Sequence, residues 1–586
     1  MHPTLQLFAF ALSGLAMSAG VPAADMDWVK ESNQNAQIML KVIAQFSPEQ
    51  AGRLGVEGVD DKVRDLNKDV YQRSQAATEA AVAELKQRVA ATQDARVKQD
   101  LEILIESGEK NLRSARLERQ YMLPYYDVAQ IEFGGIRSLL DPQVPKDRQA
   151  AALERLKRYA GLVAGTQPLT KLAEARTAER FADKQLVGPY LEEVNQNLAN
   201  TQTFVDGIKD LFTKSGLQGW EQPYAQLTQQ LNDYDTWVKQ NILPRARKDN
   251  RLPAPIYGDN LLQFGVDIPP EKLMAMAQFS FSEIQHQMEA LAPLVAQQKG
   301  YASPDYRDVI RELKKQQIEG DAILPFYKNR LAEIEDIIRK QHVVTLPERA
   351  ASIRVASPAE TAATPAPHMT PPRLIGNTGQ YGEFVLPLNL PAADGKSAQK
   401  YDDFTFDAAG WTLTAHEARP GHELQFASMV ERGLSVARAV FAFNSVNAEG
   451  WGLYSEAEMQ PYEPLDGQLI TLQLRLQRAA RAFIDPMLNL GLIKPDEALA
   501  FLQREVVLSP AFAEEEVQRF TFMAPGQATS YYYGYMRLMQ LRAETEVKLG
   551  IRFDRQKFND FILSQGLLPP DLMKQAVEQE FIPSQQ

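Results

Sequence analysis

The sequence predicts a mainly α protein: a large helical body, a short β and loop region, and then a helix bearing two histidines. Three observations carry this expectation. From Asp25 to about Gln341, apolar residues recur at helical spacing among abundant Ala, Glu, Gln, Lys and Arg. Between Val343 and Lys400 the composition turns to Pro, Ala, Thr and Gly. From Phe404 the helical pattern resumes and carries two of the chain's six histidines, His416 and His422.

Taken in order, residues 1–23 read as a signal peptide. Leu5 to Ala19 is an uncharged apolar run, suited to a signal core but short of the roughly twenty residues a membrane span requires. Val21-Pro-Ala23 supplies small residues where a signal peptidase cuts, so cleavage is expected after Ala23 or Ala24. The expected product is periplasmic or secreted, with no stable membrane span; a retained amino-terminal anchor is the alternative. The chain has no cysteine, which removes disulfides, thiolate ligands and a lipid-bearing cysteine from consideration. Its net charge of −12 disfavours nucleic acid as a partner, for which a basic face is expected.

Residues 24–342 form the expected helical amino-terminal lobe. Val82, Leu85 and Val89 follow helical spacing, as do Leu101, Leu104 and Ile105. Pro124 and the pairs Pro253/Pro255 and Pro269/Pro270 punctuate it, and no fixed period suggests a solenoid. Residues 343–403 are the expected small β and loop region, with Ile353–Val355 and Glu383–Leu386 as strands and Pro387 tolerable at an edge. His368, in Pro-Ala-Pro-His, is a candidate substrate contact. Residues 404–586 are the expected metal-binding lobe: Asp407 caps the helix that Trp411 begins, and Leu469, Leu472 and Leu476 mark a core helix to Ile484.

The chemistry concentrates in His416-Glu-Ala-Arg-Pro-Gly-His422. Neutral imidazole is the preferred nitrogen ligand of zinc, and Glu417 stands where a water-activating base is required. In the zincin pattern His-Glu-x-x-His, the histidines are about 40° apart around one helix. Here the spacing of six residues puts them about 240° apart, which a straight helix cannot converge on one ion. Pro420-Gly421 lies between them and can bulge the backbone so that His422 swings back beside His416. Downstream, Glu449 and Glu456 are seven residues apart and face one side of a helix. One can ligate the ion while the other holds a ligand from behind. Gly450 and Gly452 suit a close approach of backbone or ligand. Farther on, Gln527, Tyr531 and Arg542 fall on one helical face and offer an amide, a phenol and a guanidinium.

His-Glu-x-x-Pro-Gly-His followed by Glu-Gly-Trp-x-x-Tyr-x-Glu resembles the domain-of-unknown-function 885 family, a helical group akin to zinc metallopeptidases. Arg251-Leu-Pro-x-x-Ile-Tyr257, Ala366-Pro-His-Met-x-Pro-Pro372, Phe384-Val-Leu-Pro387, Pro525-Gly-Gln-Ala528 and Gly566-Leu-Leu-Pro569 support the likeness. Asn559 departs from it, since relatives often carry His there. The resemblance implies a two-lobed zincin-like fold. His416, His422 and Glu449 would hold Zn²⁺, with Glu456 behind them and Glu417 as general base. A small sheet before the metal helix would hold an extended peptide. Tyr531 would donate to the developing oxyanion, and Arg542 would bind a substrate carboxylate. The implied activity is hydrolysis of short peptides. The alternatives are a noncatalytic helical envelope protein that cradles a peptide or partner, and a metal hydrolase of a nonpeptide amide.

Overall fold

The computed structural model describes residues 27–390 and 399–586, so the expected signal peptide lies outside the described residues. The chain is mainly helical. No helix among the described residues is long and apolar enough to cross a membrane.

The amino-terminal helices pair by apolar stripes, as their periodicity requires. Asp27–Phe46, Val70–Ala91 and Ala95–Tyr121 share a core of Met39, Leu40, Leu85, Leu101 and Leu104. Asp94 starts the third of these by accepting the backbone N–H groups of Arg96 and Val97. Val128–Leu140, Leu191–Ser215 and Glu221–Asn241 enclose a second core around Phe133, Phe204, Phe212 and Leu231.

The cores do not divide at residue 342, where composition changes. Pro270–Lys299 lies along Leu465–Asn489, and Phe281 meets Phe483 edge to face at 5.6 Å between ring centroids. Ile334 and Ile338 pack with Trp411 in another core. The helices from about residue 257 to 341 therefore belong with the carboxy-terminal half. Their amphipathic patterns show that each has a buried face but not which helix covers it.

The small sheet has the order β1-β3-β2, with β1 Ser352–Val355, β2 His368–Thr370 and β3 Glu383–Leu386. β1 runs parallel to β3, β2 antiparallel to it, and Phe384 of the central strand is the partner of both Ile353 and Met369. Pro387 follows β3 directly, so its missing N–H costs the ladder nothing. β2 is an edge strand where the sequence suggested a loop. Asp407 does not cap the following helix, whose first residue is Ala409; its carboxylate instead accepts from Arg330 at 2.8 Å.

Candidate metal centre

The histidine helix runs from Ala409 to Glu417 and a new helix begins at His422. The sequence suggested a bulge in one helix; the structure has a four-residue break, Ala418 to Gly421, with a cis peptide bond between Arg419 and Pro420. Buried Arg419 anchors the break by donating to Glu423 at 2.8 Å, to Glu335 at 2.6 Å and to the carbonyl of Arg349 at 2.6 Å. Trp451 closes it from the other side, its indole N–H donating to the Pro420 carbonyl at 2.9 Å. Position 421 must be glycine, because a Cβ there would collide with the carbonyl oxygens of Ala415 and His416.

This break places the two imidazoles edge to face, with ring centroids 4.7 Å apart. The glutamate helix Ser445–Met459, capped by Asn444, lies across them. Glu449 Oε2 is 3.2 Å from His422 Nε2 and 3.5 Å from His416 Nε2. Donors bound tetrahedrally at zinc's usual 2.0–2.2 Å stand about 3.4 Å from one another, so both separations fit a shared cation. One ligand atom from each of the three residues lies within 4.8 Å of the others. The donor set, two imidazoles and one carboxylate, is also that of catalytic zinc sites.

Glu456 resolves the choice between the two glutamates, because it faces away from the shared point. His416 Nδ1–H donates to Glu456 Oε1 at 2.8 Å, which orients the ring so that Nε2 faces Glu449. Arg478 in turn faces Glu456 at 3.5 Å. Gly452 makes room for the arrangement: a Cβ there would stand 2.5 Å from His416 Cε1. Burial acts against the charge on Glu449, but the two imidazoles hold its carboxyl well below the ordinary range.

A cleft of about 800 Å³ opens on this point, lined by Glu417, His422, Glu449, His368, Arg519 and Tyr531. Glu417 is buried and makes no hydrogen bond among the described residues; burial raises its pKa, the nearby imidazoles opposing the shift. Gln527 donates to Glu449 Oε1 at 3.4 Å and to Ser445 Oγ at 3.0 Å. Tyr531 stacks beside His416, with ring centroids 6.2 Å apart. Its hydroxyl accepts from Arg519 at 2.7 Å, and the Arg481 guanidinium covers its ring at 4.6 Å. His368 sits on edge strand β2, its Nδ1 bonded to the Ala366 carbonyl at 2.9 Å.

Arg542 is the one expected site residue that the structure places elsewhere. It shares a face of the helix Thr529–Leu549 with Tyr531, but eleven residues separate them by about 16 Å along the axis. There it pairs with Glu458 and Glu546 and donates to the Tyr454 hydroxyl at 2.9 Å. Arg519 occupies the cleft instead, a residue to which the sequence attached no role. It starts a π-helical turn, Arg519–Met523, whose wider winding defeats counting by 3.6 residues. Asn559 is also absorbed structurally, accepting from Tyr454 at 2.8 Å and donating to the Val343 carbonyl at 2.8 Å.

Two solved structures share this fold. A candidate lipoprotein of unknown function from Shewanella oneidensis is 18% identical, with a TM-score of 0.71 over 94% of this chain and 100% of its own. A candidate lipoprotein from Colwellia psychrerythraea is 17% identical, with a TM-score of 0.75 over 94% of this chain and 99% of its own. At such identities the likeness concerns the fold alone. No curated protein matches the chain in sequence. A family model does: over residues 48–577, which include every site residue named above, the chain belongs to the bacterial proteins of unknown function DUF885.

Proposed function

We propose that this chain is a zinc-dependent hydrolase that cleaves peptide bonds in short peptides, on a two-lobed zincin-like scaffold. The observation that carries the reading is the convergence of His416 Nε2 and His422 Nε2 on Glu449 Oε2, at 3.5 and 3.2 Å, beside a cleft wall formed by Glu417. When bound there, Zn²⁺ would act as a Lewis acid and lower the pKa of water.

The chain's own groups divide the remaining work. Glu417, with no hydrogen-bond partner among the described residues to compete for its carboxylate, takes a proton from the attacking water and returns one to the leaving nitrogen. Glu456 holds the His416 ring from behind. Arg519 orients the Tyr531 hydroxyl, which donates to the oxygen on which negative charge develops. The edge of β2 offers unpaired backbone groups to an extended peptide. A periplasmic or secreted location is supported by the apolar segment before residue 23 and by the two neighbours' description as candidate lipoproteins.

The test is elemental analysis of protein purified without added metal, followed by digestion of a mixed peptide pool with and without chelator. Near-stoichiometric zinc and chelator-sensitive cleavage are expected. Glu417→Gln should lower turnover by about 10²-fold or more while keeping the zinc. Wild-type cleavage by that variant would remove Glu417 as the base, and chelator-resistant cleavage would remove the metal.

A further inference from the structure

Behind β2 the cleft continues into a second chamber of about 860 Å³. His368 and Met369 line both spaces, so the edge strand is the rim between them. Five arginines line this chamber against three carboxylates, a local surplus of positive charge in a chain of net −12. Three of the five are already engaged. Arg148 forks onto Asp60 with two bonds of 2.7 Å, and Arg137 pairs with Glu360 at 2.5 Å. Arg373 donates to the carbonyls of Ile375 and Gly55 at 2.9 and 2.8 Å.

Arg53 and Arg64 differ. Neither guanidinium has a hydrogen bond or an ion pair among the described residues. Glu49, whose charge acts on Arg53, accepts through Oε1 from the Arg64 backbone N–H and the Tyr159 hydroxyl, at 2.8 and 2.9 Å. Arg53 is exposed and Arg64 half-buried, and both line the chamber. Desolvation lowers the pKa of Arg53, the Glu49 carboxylate opposes that shift, and the like charges of Arg137 and Arg64 add to it. Two guanidiniums that line one recess without a hydrogen bond or ion pair among the described residues are free to take an anion, and a planar carboxylate meets a guanidinium by two parallel bonds.

We propose that the Arg53/Arg64 chamber receives a carboxylate of the substrate, so that the cleft selects peptides bearing a negative charge on the far side of β2 from the histidines. The carboxylate is either the peptide's own terminus or an acidic side chain. The word substrate rests on the hydrolase reading; the chamber's preference for an anion does not, and binding is therefore measured apart from turnover.

The experiment titrates three probes into the full-length Glu417→Gln protein by calorimetry: tetra-alanine as free acid, its carboxamide, and a carboxamide with one alanine replaced by glutamate. At least one anionic peptide should bind about tenfold or more tightly than the neutral carboxamide. Which of the two gains identifies the source of the charge. The pair Arg53→Gln and Arg64→Gln should abolish the preference and leave the neutral probe's affinity unchanged; if the pair lowers the melting temperature, Arg53→Gln alone is read. Equal affinity for all three probes, no binding of any, or a preference that survives in both variants would overturn the proposal. A preference that depends on the arginines in a wild-type protein without hydrolytic activity would sink only the hydrolase reading.

Discussion

At the scale of single residues, the candidate centre depends on what holds each imidazole, not on the imidazoles alone. His416 is buried, its Nδ1–H committed to Glu456 and its ring accommodated by the missing side chain of Gly452. Glu456 is itself fully buried and offset by Arg478. A carboxylate in that position orients the ring and raises its basicity, and outer partners of this kind typically account for 10- to 100-fold in metal affinity. Glu456→Gln keeps the shape and removes the charge. Its zinc affinity, read against a competing chelator, should fall by about that factor while the circular dichroism spectrum stays unchanged. An unaltered affinity would mean that Glu456 serves packing only. The pair at 449 and 456 was legible as two carboxylates on one helical face, because seven residues bring two side chains to the same side. Spacing alone left open which was which, the family resemblance pointed to Glu449 as the ligand, and in the structure Glu449 faces both Nε2 atoms while Glu456 faces His416 Nδ1.

At the scale of elements, the glutamate helix is positioned by direct backbone contact with the helix Thr529–Leu549. The two meet at glycines: a Cβ on Gly450 would stand 2.6 Å from the Gly534 carbonyl carbon, and one on Gly534 would strike the Val446 carbonyl oxygen. This contact carries Glu449 and Tyr531 together, one from each helix. Gly534→Ala should push the helices apart, costing on the order of 1–3 kcal/mol as overpacking does, although alanine is the better helix former. Thermal melting should register the loss, and zinc affinity should fall with it because Glu449 moves; a Tm at or above wild type would show that the helices have slack. Gly450 signalled this approach in the sequence, whereas Gly534, within a run of tyrosines, did not. The same limit applies elsewhere. Pro420-Gly421 announced an interruption but not its form, since its anchors Glu335, Arg349 and Trp451 lie far off in the chain. β1 and β3 showed as β-branched and aromatic runs, while three-residue β2 had no pattern to show and exists because β3 offers it a partner.

At the scale of the whole molecule, folding removes several carboxyl groups from water, and this sets how stability responds to pH. Glu463 is the clearest case. Burial is the main influence and raises its pKa to about 8, with Thr471, Arg475 and Arg330 opposing and Glu456 adding to the rise. One oxygen accepts from Thr471 at 2.7 Å and the other has no partner among the described residues, which suits a protonated acid. Asp127 is likewise raised to about 7 by burial. A group whose pKa is higher folded than unfolded binds a proton on folding, so stability falls as pH rises from the unfolded value through the folded one. For Glu463 that window runs from about 4.5 to about 8. Glu360, held to about 2 by Arg354 and Arg137 against the effect of burial, acts in the opposite sense, and its contribution is lost only as pH falls from 4.5 toward 2. The two windows do not overlap above pH 5, so the protein should lose melting temperature between pH 6.5 and 9, and Glu463→Gln should lose less over the same interval. Replacing the acid with a neutral amide removes its contribution, at most about 1.4 kcal/mol for each pH unit crossed within the window. Parallel melting curves of the two proteins across that range would show that Glu463 is already ionised in the fold and has found a cation that its hydrogen bonds do not reveal.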